Sequence, residues 1–168
     1  QIEFLNIVEQ FKDEPYVFYF VGDNKNTSYY KKFLYQIKIK NISNICRVLN
    51  HLDKQDLKMM YKCCNLIISA PLKPEGFGRI VSEGLAMEKI VLGYNYGGVK
   101  NQLNKLDDLY KINPLDNDEL KKRIKFILDS PLNKFSNLSI KGRNHIIKNY
   151  SKNLMLSNYY NFYEKILL

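Results

Sequence analysis

The chain has 168 residues, 45% apolar and 13% aromatic, a length suited to one domain with a substantial core. Charged residues make up 26%, which excludes a disordered chain by composition, and no apolar run approaches the roughly 20 residues that cross a bilayer. The net charge of +9, from 26 Lys+Arg against 17 Asp+Glu, is dispersed along a sequence heavy in Lys, Asn, Ile and Tyr; no nucleic-acid-binding motif accompanies it, so nucleic acid is not an expected partner.

Gln1 opens directly into helical spacing at Ile2, Leu5, Val8 and Phe11, as a chain cut inside a helix would, and no signal peptide is visible. Tyr16 to Val21 is a continuous apolar and aromatic run ending in Gly22-Asp23, the pattern of a parallel strand buried on both faces. Thr27 or Ser28 can cap a helix with Tyr30, Phe33, Leu34 and Ile37 on its inner side. A short strand, Ile45 to Leu49, follows, then a helix capped by Asp53 in which Leu57, Met60 and Tyr61 recur at helical spacing. Leu66 to Ala70 reads as a strand, glycine and proline punctuate positions 71 to 78, and a helix is predicted from about Gly78 to Met87. Ile90 to Tyr94 is a strand ending near Gly97-Gly98, and Asp108 to Ile112 a short one. Asn117 or Asp118 starts a helix through Leu128, broken by Pro131. From Ile140 onward Leu156, Tyr159, Tyr160, Tyr163, Ile166 and Leu167 mark one or two closing helices.

Strands alternating with helices predict a doubly wound α/β parallel sheet, with ligands held outside the carboxyl ends of the strands. Those ends are the loops at Gly22, Asn50, positions 71 to 78, and Gly97. With no internal repeat and no low-complexity linker, residues 1–168 read as a single domain. Cys46, Cys63 and Cys64 are odd in number and two are adjacent, which suits neither a disulfide framework nor a metal site; they read as buried free thiols in a reducing compartment. His51 and His145 are isolated in sequence, so no protein-bound metal and no cofactor is expected.

The run from Pro71 to Glu83 (Pro-Leu-Lys-Pro-Glu-Gly-Phe-Gly-Arg-Ile-Val-Ser-Glu) sits where a strand passes into a helix. Gly76 and Gly78 allow close backbone approach to a ligand, and the free amides of the following helix favour a phosphate or an electron-rich hydroxyl. Glu75 lies before the helix and Glu83 roughly one and a half turns inside it, where carboxylates can accept hydrogen bonds from vicinal diols. Any two glutamates at this spacing are more often solvated surface residues; the residues around them change that.

The string resembles the Glu-x7-Glu signature of family 4 glycosyltransferases, retaining enzymes of the GT-B fold, and its Pro-Glu-x-Phe-Gly-Arg form is similar to one subgroup. The resemblance extends through Asp56 to Ile68, the Glu83-Gly84-Leu85-Ala86-Met87 helix, the strand and Gly-Gly turn from Val91 to Gly98, and Asn113-Pro114 with the helix after it. It implies a Rossmann-like donor-binding domain, the C-terminal half of a GT-B fold, with its first strand and basic loop missing and the N-terminal acceptor-binding domain absent. Two departures stand out: Glu88-Lys89-Ile90 where the family has Gly-x-Pro, suggesting a differently shaped loop, and Ala70-Pro71 where it often has Pro-Ser.

The resemblance assigns Glu83 to the ribose hydroxyls and Glu75, the catalytic candidate, to positioning the transferred sugar. Backbone amides of Gly76, Phe77 and Gly78 would hold the sugar and its phosphate side, with Arg79 in the same string. Asn50 and His51 match a loop near the base, and Gly22 ends the first strand at the same edge. The implied reaction is hexosyl transfer from a nucleoside diphosphate sugar to a carbohydrate or lipid-linked acceptor hydroxyl, with retention, in cell-envelope polysaccharide, lipopolysaccharide or glycolipid synthesis. The expected setting is cytoplasmic, at the inner face of the membrane, with peripheral contact to anionic lipid through the basic surface. This fragment alone is expected to be inactive. Lys25 and Lys73 are the nearest replacements for the missing basic residues, though each reads first as solvated surface. The alternatives are a nucleotide-sugar epimerase of related fold and a nucleotide-sugar-binding module without turnover.

Overall fold

The computed structural model describes residues 1–22, 27–131 and 133–167; Asp23 and Lys25 lie outside them. Contacts group the chain into two compact units, Gln1–Met60 and Tyr61–Leu168.

In the first unit α1 (Leu5–Val8) continues into a 3-10 turn, Glu9–Phe11, and leads to β1 (Phe18–Val21). The helix α2 (Ser28–Ile39) begins at Thr27, whose hydroxyl accepts the N–H of Tyr30 at 3.1 Å. It ends at Asn41, φ 58, a left-handed position that asparagine tolerates. β2 (Cys46–Leu49) pairs parallel with β1, Phe18 opposite Cys46. Phe18 and Phe20 turn inward against Phe4, Phe11 and Phe33 at ring separations of 5.0–6.3 Å. Tyr19 between them is half exposed, so β1 is covered on one face and not, as its continuous apolar run predicts, on both. Of the inner side predicted for α2, Phe33 and Ile37 are buried while Leu34 is exposed. A third helix, α3 (Lys54–Cys63), starts at Asp53, whose carboxylate accepts the N–H groups of Gln55 and Asp56 at 2.8 Å each; its residues from Tyr61 onward belong to the second unit.

The second unit holds β3 (Leu66–Ser69), α4 (Arg79–Ala86), β4 (Ile90–Tyr94), α5 (Gly97–Leu103), a 3-10 turn (Asp108–Tyr110), β5 (Lys111–Ile112), α6 (Asn117–Leu128), α7 (Ser136–Tyr150) and α8 (Lys152–Leu167). Its strands run parallel in the order β3-β4-β5, with Leu66 opposite Ile90 and Tyr94 opposite Ile112. All five residues of β4 are buried, as the central strand of a parallel sheet requires. Ile90, Val91 and Leu92 of β4 and Val81 and Leu85 of α4 are core residues, and α7 also packs on α4. Tyr110 is buried with its hydroxyl donating to Leu138 O at 2.7 Å, and burial pushes its phenol above the usual range.

Three expectations need correction here. The segment after Gly97-Gly98 is a helix, α5, that the sequence pattern did not predict, because two glycines and a polar run mask the spacing of Val99 and Leu103. Asp108 to Tyr110 is a 3-10 turn, leaving two residues of strand. Of the thiols, Cys46 is buried and pushed up to about 11 by desolvation, but Cys63, on the outer face of α3, is exposed.

The altered Glu88 loop is a left-handed helix cap. Lys89 N–H donates to Gly84 O and Glu88 N–H to Leu85 O, the pairing that glycine usually completes, with Glu88 itself at φ 56. The Arg143 guanidinium steadies it, lying 3.5 Å from the Glu88 carboxylate and donating to Ala86 O at 2.6 Å. Among the described residues no helix is long and apolar enough to cross a membrane.

Candidate functional site

The predicted residues 75 to 83 lie together on the loop after β3 and the first two turns of α4. The strand carries the chain to the edge of the sheet, and Gly78, at φ 82, turns it into the helix. No side chain caps that helix; Val81 N–H donates to Gly78 O at 3.0 Å, while the N–H groups of Arg79 and Ile80 meet no acceptor among the described residues.

The loop is held from the side by α5. Gly98 N–H donates to Glu75 O at 2.8 Å. A Cβ on Gly98 would stand 2.3 Å from Gly76 O and one on Gly97 2.6 Å from Glu75 O, so both glycines are required by the approach of the two backbones. Gln102, wholly buried on α5, donates from Nε2 to Phe77 O and, at 3.3 Å, to Gly78 O. The carbonyls of Glu75, Gly76 and Phe77 thus all face α5. Among the described residues no peptide bond is cis, and in a trans peptide the N–H points opposite to the C=O. The N–H groups of Gly76, Phe77 and Gly78 therefore turn away from α5, and among the described residues they meet no acceptor.

The two glutamates differ. Glu75 is exposed, and its Oε2 lies 3.5 Å from where a Cβ on Gly78 would stand. Its carboxylate also acts on Tyr96, whose phenol is raised by burial and then by Glu75. The Tyr96 hydroxyl donates to Pro71 O, which ties the loop to the end of β4. Glu83 is half-buried with both oxygens engaged: Oε2 accepts the Tyr61 hydroxyl at 2.9 Å and Oε1 accepts Arg79 Nη2 at 2.8 Å. Desolvation, followed by that hydrogen bond, pushes the Tyr61 phenol well above its usual range. A hydrogen bond to a carboxylate contributes roughly 1.5–3 kcal/mol. The Arg79 ion pair is worth only about 0.3–0.5 kcal/mol, its guanidinium end being 82% exposed. Tyr61 is thus the firmer hold on Glu83.

Phe77 is exposed, its ring edge-on to Tyr150 at 5.9 Å. Beside it lies an open apolar groove of about 520 Å³ lined by Tyr150, Leu154, Met155, Tyr159 and Phe162. Lys73 is exposed on the same loop. Gly22, Asn50 and His51 belong to the first unit, where Gly22 N–H donates to Leu49 O at 3.2 Å and Asn50 and His51 are exposed just past β2. Among the described residues no three His, Cys, Asp or Glu side chains are grouped to hold a metal ion.

Tyr61 and Gln102 are the site residues that sequence reasoning missed. Tyr61 reads as one more inner-face residue of α3, and nothing in the pattern separates it from core. Gln102 carries a faint signal, a polar residue between Val99 and Leu103 on what proves to be the buried side of a helix.

The sequence profile of the family described as glycosyl transferases group 1 matches residues 1–152. No curated protein matches the chain. Among solved structures, a glycosyltransferase from Rickettsia africae ESF-5 superposes with a TM-score of 0.86 at 25% identity, covering 97% of this chain and 43% of its own. Anabaena Alr3699/HepE, solved in complex with UDP and glucose, gives 0.86 at 17% identity over 98% of this chain and 44% of its own. Sucrose-phosphate synthase from Thermosynechococcus elongatus gives 0.84 at 17% identity over 99% and 42%. The last two likenesses concern the fold, a GT-B half, and the chain spans less than half the length of each of the three.

Proposed function

The chain belongs to the glycosyl transferases group 1 family, and from that membership we propose that it is the donor-binding part of a retaining, family 4 type enzyme. That enzyme moves a hexose-type sugar from a nucleoside diphosphate to an acceptor hydroxyl. The observation that carries this reading is the row of three outward N–H groups at Gly76, Phe77 and Gly78, set between one exposed and one engaged glutamate.

In this reading Glu83 accepts from the ribose hydroxyls, its carboxylate aimed by Tyr61 and Arg79. Glu75 accepts from hydroxyls of the sugar and holds it near the geometry of transfer. The amides and the start of α4 stabilise charge as the bond from the anomeric carbon to the phosphate oxygen breaks. The acceptor oxygen bonds to that carbon from the same face, and its proton passes to the departing phosphate. Positioning and charge stabilisation of this kind assign no step to a protein nucleophile, a cofactor or a bound metal. Asn50 and His51 are assigned to the base side of the donor, and Gly22 to donor binding. UDP-glucose is the first donor to test, given the HepE structure in complex with UDP-glucose. The acceptor is a carbohydrate or lipid-linked chain of the cell envelope, reached at the cytoplasmic side of a membrane whose anionic lipid the +9 chain attracts. Residues 1–168 alone are inactive.

The test is a titration of nucleoside diphosphates and their sugars against the full-length enzyme and two variants. Glu83→Ala weakens nucleotide binding roughly tenfold, while Glu75→Ala leaves it near wild type and lowers turnover. Negligible and equal effects from both variants defeat the assignment. Product analysis separates transfer from epimerisation.

A further inference from the structure

We propose that Gln102 is the positioning residue that sets the outward amides for the anionic part of the donor, a role that rests on the donor-binding function above. Gln102 has no exposed surface, and its Nε2 donates to two successive carbonyls, Phe77 and Gly78. Peptide planarity converts the Phe77 anchor into an outward N–H on Gly78, and the Gly78 carbonyl, which also accepts Val81 N–H at 3.0 Å, leaves the Arg79 N–H outward beside it. The carboxamide touches no ligand position itself; it fixes which way the peptides face.

Two observations separate this role from simple core packing. Gln102 Oε1 is buried and, among the described residues, has no partner. An orphaned buried acceptor offsets much of what the two donated bonds contribute, so Gln is a poor choice for stability alone. Rotating the amide by half a turn would set Oε1 against Phe77 O, so the orientation is forced. The backbone behind it is pinned as well. The Gln102 carbonyl accepts from His145 Nε2 at 2.9 Å, and Asn149 Nδ2 donates to His145 Nδ1 at 3.2 Å, so the imidazole carries its proton on Nε2. A strap thus runs from α7 through α5 to the loop after β3.

The test compares wild type with Gln102→Met, which keeps the length of the side chain and removes both donors, and with Gln102→Asn, which keeps the carboxamide one methylene short. The tightest-binding nucleoside diphosphate and its parent nucleoside are titrated against the full-length enzyme, and thermal midpoints are recorded. The expected result for Gln102→Met is roughly tenfold or greater loss of diphosphate affinity, with nucleoside affinity within about twofold and the midpoint within about 3 °C of wild type. Gln102→Asn falls between wild type and the Met variant, and it decides the matter if the Met variant does not fold. Unchanged diphosphate affinity, or parallel loss of both ligands with a large fall in midpoint, overturns the inference and leaves a packing role. Should wild type bind no nucleoside diphosphate, or Glu83→Ala bind as wild type, it is the donor-binding function itself that fails.

Discussion

The starts of α4 and α5 sit at the carboxyl ends of neighbouring parallel strands, and neither has a side-chain cap. Their backbone groups nevertheless go to different ends. At α5, Gly98 N–H is occupied by Glu75 O and the two glycines are pressed against the loop. At α4, the amides from Gly76 to Gly78 meet no acceptor among the described residues. One helix start is a structural clamp, and the clamp leaves the other free to face a ligand. Local sequence is glycine-rich in both places; what differs is which backbone lies opposite.

The largest expected effect comes from breaking the clamp. Gly98→Ala places a methyl 2.3 Å from Gly76 O and 2.5 Å from Phe77 Cα, backbone atoms that yield only if the loop lifts. The expected cost is about 3 kcal/mol by denaturant unfolding, with donor binding lost in calorimetry. Wild-type binding in this variant would mean the clamp is not what orders the amides. Tyr61→Phe acts on the ligand side alone. It removes one hydrogen bond to Glu83 and leaves Arg79, so nucleotide affinity should fall a few-fold and stability by about 1.5–3 kcal/mol.

A smaller effect is an alkaline one. The Tyr61 phenol is raised in the folded chain, so its stabilisation is fully present below the unfolded value of about 10 and is lost as pH rises through the folded value above it. Tyr110 behaves likewise, so Tyr61→Phe should remove part of the alkaline loss in a pH series of unfolding curves and leave the rest. The smallest effect is on the free side. A Cβ on Gly76 meets nothing within 4 Å, so Gly76→Ala should leave stability within about 0.5 kcal/mol. A loss comparable to that of Gly98→Ala would erase the contrast between the two helix starts.

Much of this was legible in the residues. Leu66–Ser69 and Ile90–Tyr94 declare themselves because a strand buried on both faces or nearly so must be apolar almost throughout. Thr27 and Asp53 announce their helices because an unpaired N–H at a helix start needs a nearby oxygen. The candidate site was legible for the same local reason: glycines, a strand-to-helix passage and two glutamates occupy one continuous stretch.

What the sequence by itself determined is therefore what neighbours along the chain set: the order of the strands and of the helices other than α5, the turn at Gly78, and a carboxylate on each side of it. The tertiary structure alone decided which carbonyls of that loop are held, by Gly98 and Gln102, and that Tyr61 is the residue holding Glu83. Those partners stand more than twenty positions away in sequence. Each hydrogen bond depends on two surfaces meeting across the packed unit, and no periodicity along one segment encodes that meeting.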